Sequence, residues 1–127
     1  FLASREPEDM THLEAAGITD DFTMGYADVA GFRLGTSYPV HWINPVTRRL
    51  SSILLHPLTI MDCNLEEKKY MGLNYEEALA YSLNLIEQVK NTGGELTLLW
   101  HNTSAQENAD SYLCKLYSHL LNELAKK

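Results

Sequence analysis

The chain has 127 residues, of which 45% are hydrophobic and 21% are charged, so it has the length and composition of one globular domain rather than of a disordered chain. Its formal net charge of −7 and its lack of a basic stripe argue against nucleic-acid binding, which requires phosphates to be neutralised. No apolar run approaches the roughly 18 residues of a membrane span. The two cysteines have no metal-like spacing and predict free thiols in a reducing compartment, which slightly favours the cytoplasm.

The N-terminal part of the chain predicts a helix, a strand and a long loop. The helix begins at Pro7, carries acidic residues in its first turn and ends at Gly17. Ile18 to Met24 then predicts a strand. Residues 25–46 contain three glycines and two prolines and predict a loop without regular structure, which in a compact domain is often functional.

The rest of the chain alternates between strands and helices. A strand is predicted at 57–61, because proline suits the first residue of a strand, and a strand covered on both faces is predicted at 95–100. Between them, 74–91 predicts a helix that begins with a capping box. A leucine stripe at helical spacing predicts the last helix at 106–125.

This alternation predicts an α/β fold with parallel strands and with both later helices on one side. The carboxyl ends of parallel strands lie on one rim, so Tyr26, Asp28, Asp62 and His101 are expected to converge there. Arg33 lies in a glycine-flanked stretch from which it could clamp a carboxylate at that rim. A surface salt bridge for Arg33, a turn-starting role for Asp62 and a loop hydrogen bond for His101 remain open as structural alternatives.

Four segments, 18–28, 31–36, 57–62 and 98–102, together resemble a bacterial branch of the polysaccharide deacetylase family. The resemblance implies a partial distorted (β/α) barrel, with this chain as the C-terminal half. It also implies hydrolysis of N-acetyl groups on sugars with a divalent metal held by one Asp and two His. The family's early motifs, which carry the base and the metal ligands, have no counterpart here and are expected upstream of Phe1.

The resemblance also implies roles for individual residues. His101 matches the histidine that acts as general acid, and Arg33 and Asp62 match positions typical of this branch. Together with Tyr26 and Trp100, these two are expected to bind the substrate. No residue of this chain is expected to ligate the metal, so a Zn-like divalent cofactor is expected only in the full-length parent.

The expected partner is an N-acetylated polysaccharide or oligosaccharide, and this chain alone is expected to be inactive. Open sheet edges predict self-association or a missing N-terminal half. The alternative is a non-catalytic carbohydrate-binding or assembly module of the same fold. In that case Tyr26, Trp42 and Trp100 would bind sugar without chemistry.

Overall fold

The computed structural model describes residues 7–106 and 112–126, which form a mixed α/β arrangement of two small sheets with helices. The elements in chain order are α1 (Glu8–Ala15), β1 (Asp20–Met24), β2 (Val40–Ile43), β3 (Leu50–Pro57), β4 (Ile60–Met61), α2 (Asp62–Glu66), α3 (Tyr75–Thr92), β5 (Leu98–Leu99), a 3₁₀ turn (Asn102–Ser104) and α4 (Tyr112–Ala125). The strands of these described ranges do not close into a barrel. None of the described helices has the length and apolar character of a membrane span.

The first sheet has the strand order β1–β3–β2, and the second sheet consists of β4 and β5. The β1–β3 and β4–β5 pairs are parallel, as the alternation predicts, whereas β2 and β3 are antiparallel, so the prediction of parallel strands is wrong there. The chain passes from one sheet to the other after β3. The Leu58 N–H donates to the Met24 carbonyl at 3.2 Å, and the Thr59 N–H donates to the Thr97 carbonyl at 3.1 Å.

The strand predicted at 57–61 differs from the structure because Pro57 is the last residue of β3, and only Ile60–Met61 forms a strand beyond it. The burial pattern of β3 explains the error. Leu50 is 70% exposed whereas Ser51 is buried, which inverts the usual pattern of a strand. Ser51 Oγ donates a hydrogen bond to Glu14 Oε1 of α1 at 2.7 Å, so the polar residue is satisfied inside and the sequence pattern is hidden.

The loop predicted over 25–46 is wrong at its C-terminal end, where β2 forms a hairpin with β3. Asn44 builds the turn of this hairpin. Its Oδ1 accepts hydrogen bonds from the Val46 N–H at 2.9 Å and the Thr47 N–H at 3.1 Å. Arg48, in the same turn, has a φ of 56°, which is in the left-handed region. Turn chemistry of this kind gives no hydrophobic periodicity, so the hairpin has little sequence signal.

The two long helices agree closely with the prediction. Asn74 Oδ1 accepts from the Glu77 N–H at 3.0 Å, and Glu77 Oε2 accepts from the Asn74 N–H at 3.0 Å, which is the predicted capping box of α3. Gly93 ends α3 with a φ of 76°. The described part of the last helix is 112–125, while residues 107–111 of the prediction lie outside the described residues.

The apolar side chains form two clusters, one on each sheet. The larger cluster joins the second sheet to α3 and α4, and the smaller one joins the first sheet to α1. The buried members of the larger cluster are Ala30, Ile60, Leu65, Ala78, Leu85, Ile86, Leu113, Leu116 and Leu120, and those of the smaller are Met10, Met24, Trp42, Ile53 and Leu55. The α4 stripe is therefore core at three leucines, whereas Leu121 and Leu124 are exposed. Self-association stays a prediction.

A buried histidine connects the two sheets. His56 Nε2 lies 2.7 Å from Asp20 Oδ1 on β1, and its Nδ1 lies 2.8 Å from Glu95 Oε2, which precedes β5. The ring also stacks on Phe22 at 4.2 Å between centroids. Since a neutral imidazole has only one N–H donor, these two carboxylates are both satisfied only by the imidazolium. Burial lowers the pKa of His56, but the hydrogen bonds and charges of Glu95 and Asp20 outweigh it, so the pKa is raised.

We expect His56→Gln to remove a pH-dependent part of the folding free energy. Because the folded-state pKa is raised, this contribution is fully present below the ordinary value of about 6.5 and is lost as pH rises through the folded value. The urea midpoint of the wild type should therefore fall more steeply with rising pH than that of the variant. His41→Gln, at an exposed position of β2, is the matched control and should keep the wild-type slope. Equal slopes for the wild type and His56→Gln would contradict a charged His56.

Candidate functional site

Two predicted strand ends meet in the structure. Asp62 follows β4 directly and begins α2, and His101 follows Trp100, the residue after β5. The two strands are parallel neighbours and pair at two positions, so their carboxyl ends lie at the same edge of the sheet. The expectation that Asp62 and His101 converge at one rim is confirmed by their direct contact.

The Asp62 carboxylate holds His101 through two atoms. Asp62 Oδ1 lies 2.7 Å from His101 Nδ1, and Asp62 Oδ2 accepts a hydrogen bond from the His101 backbone N–H at 3.0 Å. The Cys63 N–H donates to Asp62 Oδ1 at 2.8 Å. The Asp62 side chain is 0% exposed, whereas the His101 side chain is 46% exposed. With Nδ1 held by the carboxylate, Nε2 is the ring nitrogen that can meet another molecule.

The electrostatic surroundings favour an ionised carboxylate. Burial raises the pKa of Asp62, but hydrogen bonds from the Ser104 side chain, from the side chain and backbone of His101 and from the Cys63 backbone outweigh it, so the pKa is lowered. An ionised Asp62 accepts a proton-bearing Nδ1, which fixes the tautomer and the ring orientation of His101.

Cys63 lies beside this pair, with its Sγ 3.6 Å from His101 Nδ1. Burial raises the pKa of the Cys63 thiol to about 11, and the negative charges of Asp62 and Glu67 act in the same direction. The thiolate is the nucleophilic form of cysteine, so at neutral pH Cys63 does not have the character of an activated nucleophile.

Tyr26, Asp28 and Arg33 follow β1, which belongs to the first sheet and not to the sheet of β4 and β5, so the single rim predicted for all of these residues does not form. The Tyr26 carbonyl accepts a hydrogen bond from Asn64 Nδ2 at 3.2 Å, while the Tyr26 side chain is exposed. Asn64 belongs to α2, two residues after Asp62, so Tyr26 is connected to the pair through one side chain. Arg33 Nη1 donates to the Gly25 carbonyl at 3.0 Å, which is a backbone acceptor and not the carboxylate that was expected, so its guanidinium holds the end of β1.

Trp100 packs between β5 and α4. Its ring stacks on Tyr117 with 5.3 Å between centroids and packs against the larger apolar cluster. Its Nε1 is buried and makes no hydrogen bond within the described part of the chain. This packing anchors the backbone immediately before His101 to the larger apolar cluster. The predicted role of Trp100 in substrate binding stays a prediction.

Asn64 is a site residue that sequence reasoning missed. It is buried, its Oδ1 accepts from the Met61 N–H at 3.2 Å, and its Nδ2 also donates to the Ala27 carbonyl at 2.8 Å. It thereby ties the loop after β1 to the start of α2. The available signal was an asparagine two residues after a strand-end aspartate, a residue type that often bonds to nearby backbone.

The metal implied by the family resemblance needs one Asp and two His. Within residues 7–106 and 112–126, Asp62, Cys63 and His101 form the one group of three His, Cys, Asp or Glu side chains that could hold an ion, with ligand atoms within 4.8 Å of one another. This group contains one histidine and adds a thiol. It therefore does not fit the ligand set that the resemblance implies.

Comparison with known proteins does not identify the chain. No family model matches it, and no curated protein or solved structure matches it. The resemblance to polysaccharide deacetylases therefore depends on the four sequence segments and remains a prediction.

We expect Asp62→Asn to destabilise the fold at neutral pH by about 1–3 kcal/mol, because an amide NH₂ would replace one acceptor oxygen and leave a buried donor unpaired. The pKa of Asp62 is lowered, so its contribution is present above the ordinary carboxyl pKa of about 3.9 and is lost as pH falls through the folded value. The difference between wild type and variant in chemical denaturation should therefore shrink in acid. Asp28→Asn, an exposed carboxylate after β1, is the control and should change little. An Asp62→Asn protein as stable as wild type at neutral pH would contradict this account.

Proposed function

We propose that this chain supplies the proton-transfer pair of an enzyme that hydrolyses N-acetyl groups on carbohydrates. The observation that carries the proposal is the buried Asp62 carboxylate, which holds both the ring and the backbone of His101 while the histidine side chain stays half-exposed. A histidine held in this way presents Nε2 to a substrate in a fixed orientation. That combination of an oriented ring and an open nitrogen suits a general acid or base.

In amide hydrolysis, the proposed role of the Asp62–His101 pair is to protonate the leaving amine. When the C–N bond of an N-acetyl group breaks, the nitrogen needs a proton, because an amide anion is a poor leaving group. His101 donates that proton from Nε2, and the ionised Asp62 stabilises the imidazolium before transfer. Asp62 itself keeps its charge, because three N–H groups point at its two oxygens.

Carbohydrate as the substrate class is supported by the resemblance and by the position of Tyr26. Tyr26 is 42% exposed, and its backbone carbonyl is bonded to Asn64 of α2, two residues after Asp62. An exposed ring of this kind offers an apolar face with a polar tip, which suits a sugar ring. Arg33 acts by holding the end of β1. The divalent metal remains a proposal for the full-length protein, because the described residues do not offer its ligand set.

A non-catalytic sugar-binding or assembly module is the second candidate function. It would depend on Tyr26, Trp42 and Trp100, but Trp42 is only 4% exposed and Trp100 packs on Tyr117. Of these three rings, Tyr26 alone is well exposed. The packing of the two tryptophans therefore favours the proton-transfer proposal over sugar binding alone.

We expect His101→Ala in the full-length protein to lower kcat for deacetylation of an N-acetylated oligosaccharide by about 10²–10⁴-fold, the usual size of acid–base assistance. Thermal stability should fall modestly, because the buried Asp62 carboxylate loses the ring donor of His101 while the hydrogen bonds from the His101 and Cys63 backbones remain. Added imidazole should restore part of the lost turnover, which a merely structural role would not allow.

His41→Ala is the matched control, since His41 is an exposed histidine on β2, away from the β4–β5 edge. It should keep wild-type kcat. The proposal is wrong if a folded His101→Ala protein keeps turnover within about threefold of wild type, whatever its melting temperature.

A further inference from the structure

We propose that Asp62, Cys63 and His101 also form a binding site for a soft divalent cation, for which Zn²⁺ is the best match, and that this ion switches the Asp62–His101 pair off. The binding part of the inference stands on the geometry of three side chains. The regulatory part rests on the proposed function of His101.

The spacing of two of the ligand atoms already suits a shared ion. Zinc bonds of about 2.3 Å to sulfur and about 2.0–2.1 Å to nitrogen, at a tetrahedral angle, place the two ligand atoms roughly 3.5–3.6 Å apart. Cys63 Sγ and His101 Nδ1 lie 3.6 Å apart. The separation of these two atoms therefore already matches that of two ligands of one zinc ion.

The third ligand needs a small adjustment. Asp62 Oδ1 lies 2.7 Å from His101 Nδ1, which is a hydrogen-bonding separation, whereas two ligands of one zinc ion lie roughly 3.3 Å apart. The His101 side chain is 46% exposed and can turn by this amount, while the buried Asp62 stays in place. Glu67, one helical turn after Cys63, adds a further negative charge beside the thiol. A water can complete the fourth position.

The donor set selects the class of ion. A thiolate, an imidazole and a carboxylate together suit Zn²⁺ and related borderline-soft metals, whereas Mg²⁺ and Ca²⁺ prefer oxygen ligands alone. Both Cys63 and His101 are accessible from solvent, so an ion can reach the thiol and the imidazole directly.

Binding exchanges protons for the metal. The Cys63 thiol releases its proton to solvent as the Zn–S bond forms. The Nδ1 proton of a neutral His101 is replaced by the Zn–N bond, and solvent returns a proton to Nε2. One proton is therefore released for each ion, and affinity should rise with pH. With Nδ1 on the metal, the Nδ1–H···Asp62 hydrogen bond is lost, and His101 keeps its Nε2 proton instead of cycling it.

Co²⁺ is the probe for this site, because it accepts the same ligands and reports a thiolate ligand by a charge-transfer band in the near ultraviolet. Titration of the wild-type chain at neutral pH should produce that band, and Zn²⁺ should remove it. Cys63→Ser should abolish the band, and His101→Ala should weaken Co²⁺ binding by at least about tenfold. Cys114→Ser, which removes the other free thiol on α4, is the matched control and should behave as wild type.

A second measurement needs no variant. Zn²⁺ should slow alkylation of Cys63 by iodoacetamide, read by mass spectrometry, and should leave the alkylation of Cys114 unchanged. No cobalt band in the wild type, a band that persists in a folded Cys63→Ser protein, or equal protection of both thiols would overturn the site.

These readouts do not use turnover, so they are independent of the deacetylation test. Zn²⁺ binding with normal turnover in His101→Ala would support the site and overturn the proposed function. Conversely, turnover lost in His101→Ala without a cobalt band in the wild type would overturn the site alone. Full turnover of the wild type with Zn²⁺ bound at Cys63 would overturn the proposed inhibition.

Discussion

The buried carboxylate of Asp62 is the constraint on which the candidate site depends. An ionised group removed from water costs several kcal/mol unless hydrogen-bond donors replace its hydration. In this chain those donors are the Ser104 side chain, the Cys63 backbone, and the ring and backbone of His101. The requirement to satisfy one buried charge therefore also fixes the orientation of a half-exposed histidine, and the two elements that meet there cannot separate without leaving that charge unpaired.

A second ionic site lies six residues before Asp62, at the end of β3, and it requires a bound proton where Asp62 requires a lost one. His56 binds two carboxylates as an imidazolium, whereas Asp62 must lose its proton to accept its donors. His56, at the end of β3, pairs with Asp20 of the first sheet and with Glu95, and Asp62, at the end of β4, pairs with His101 after β5. The passage of the chain between the sheets is thus held by ionic contacts at both ends, in addition to the backbone hydrogen bonds of Leu58 and Thr59.

The parts of the fold that depend on local chemistry or strong periodicity were predictable. Asn74 and Gly93 mark the ends of α3 by capping, and the rule for parallel strand ends correctly brings Asp62 and His101 together. The hairpin was not predictable, because Leu50 faces solvent while Ser51 is satisfied by a residue 37 positions away. Asn64 was missed for a similar reason, since its partners are backbone carbonyls on a distant loop.

The shortness of β4 and β5 has a consequence for the order of folding. Each strand contributes only two residues, and the contact that joins their ends links positions 39 residues apart in the chain. The α3 helix between them depends mainly on local contacts and can form early, whereas closing so long a loop costs entropy before any contact compensates it. The pair therefore assembles late, after the intervening helix has shortened the loop. The Nδ1–H signal of His101 in proton NMR would therefore report a late step of folding.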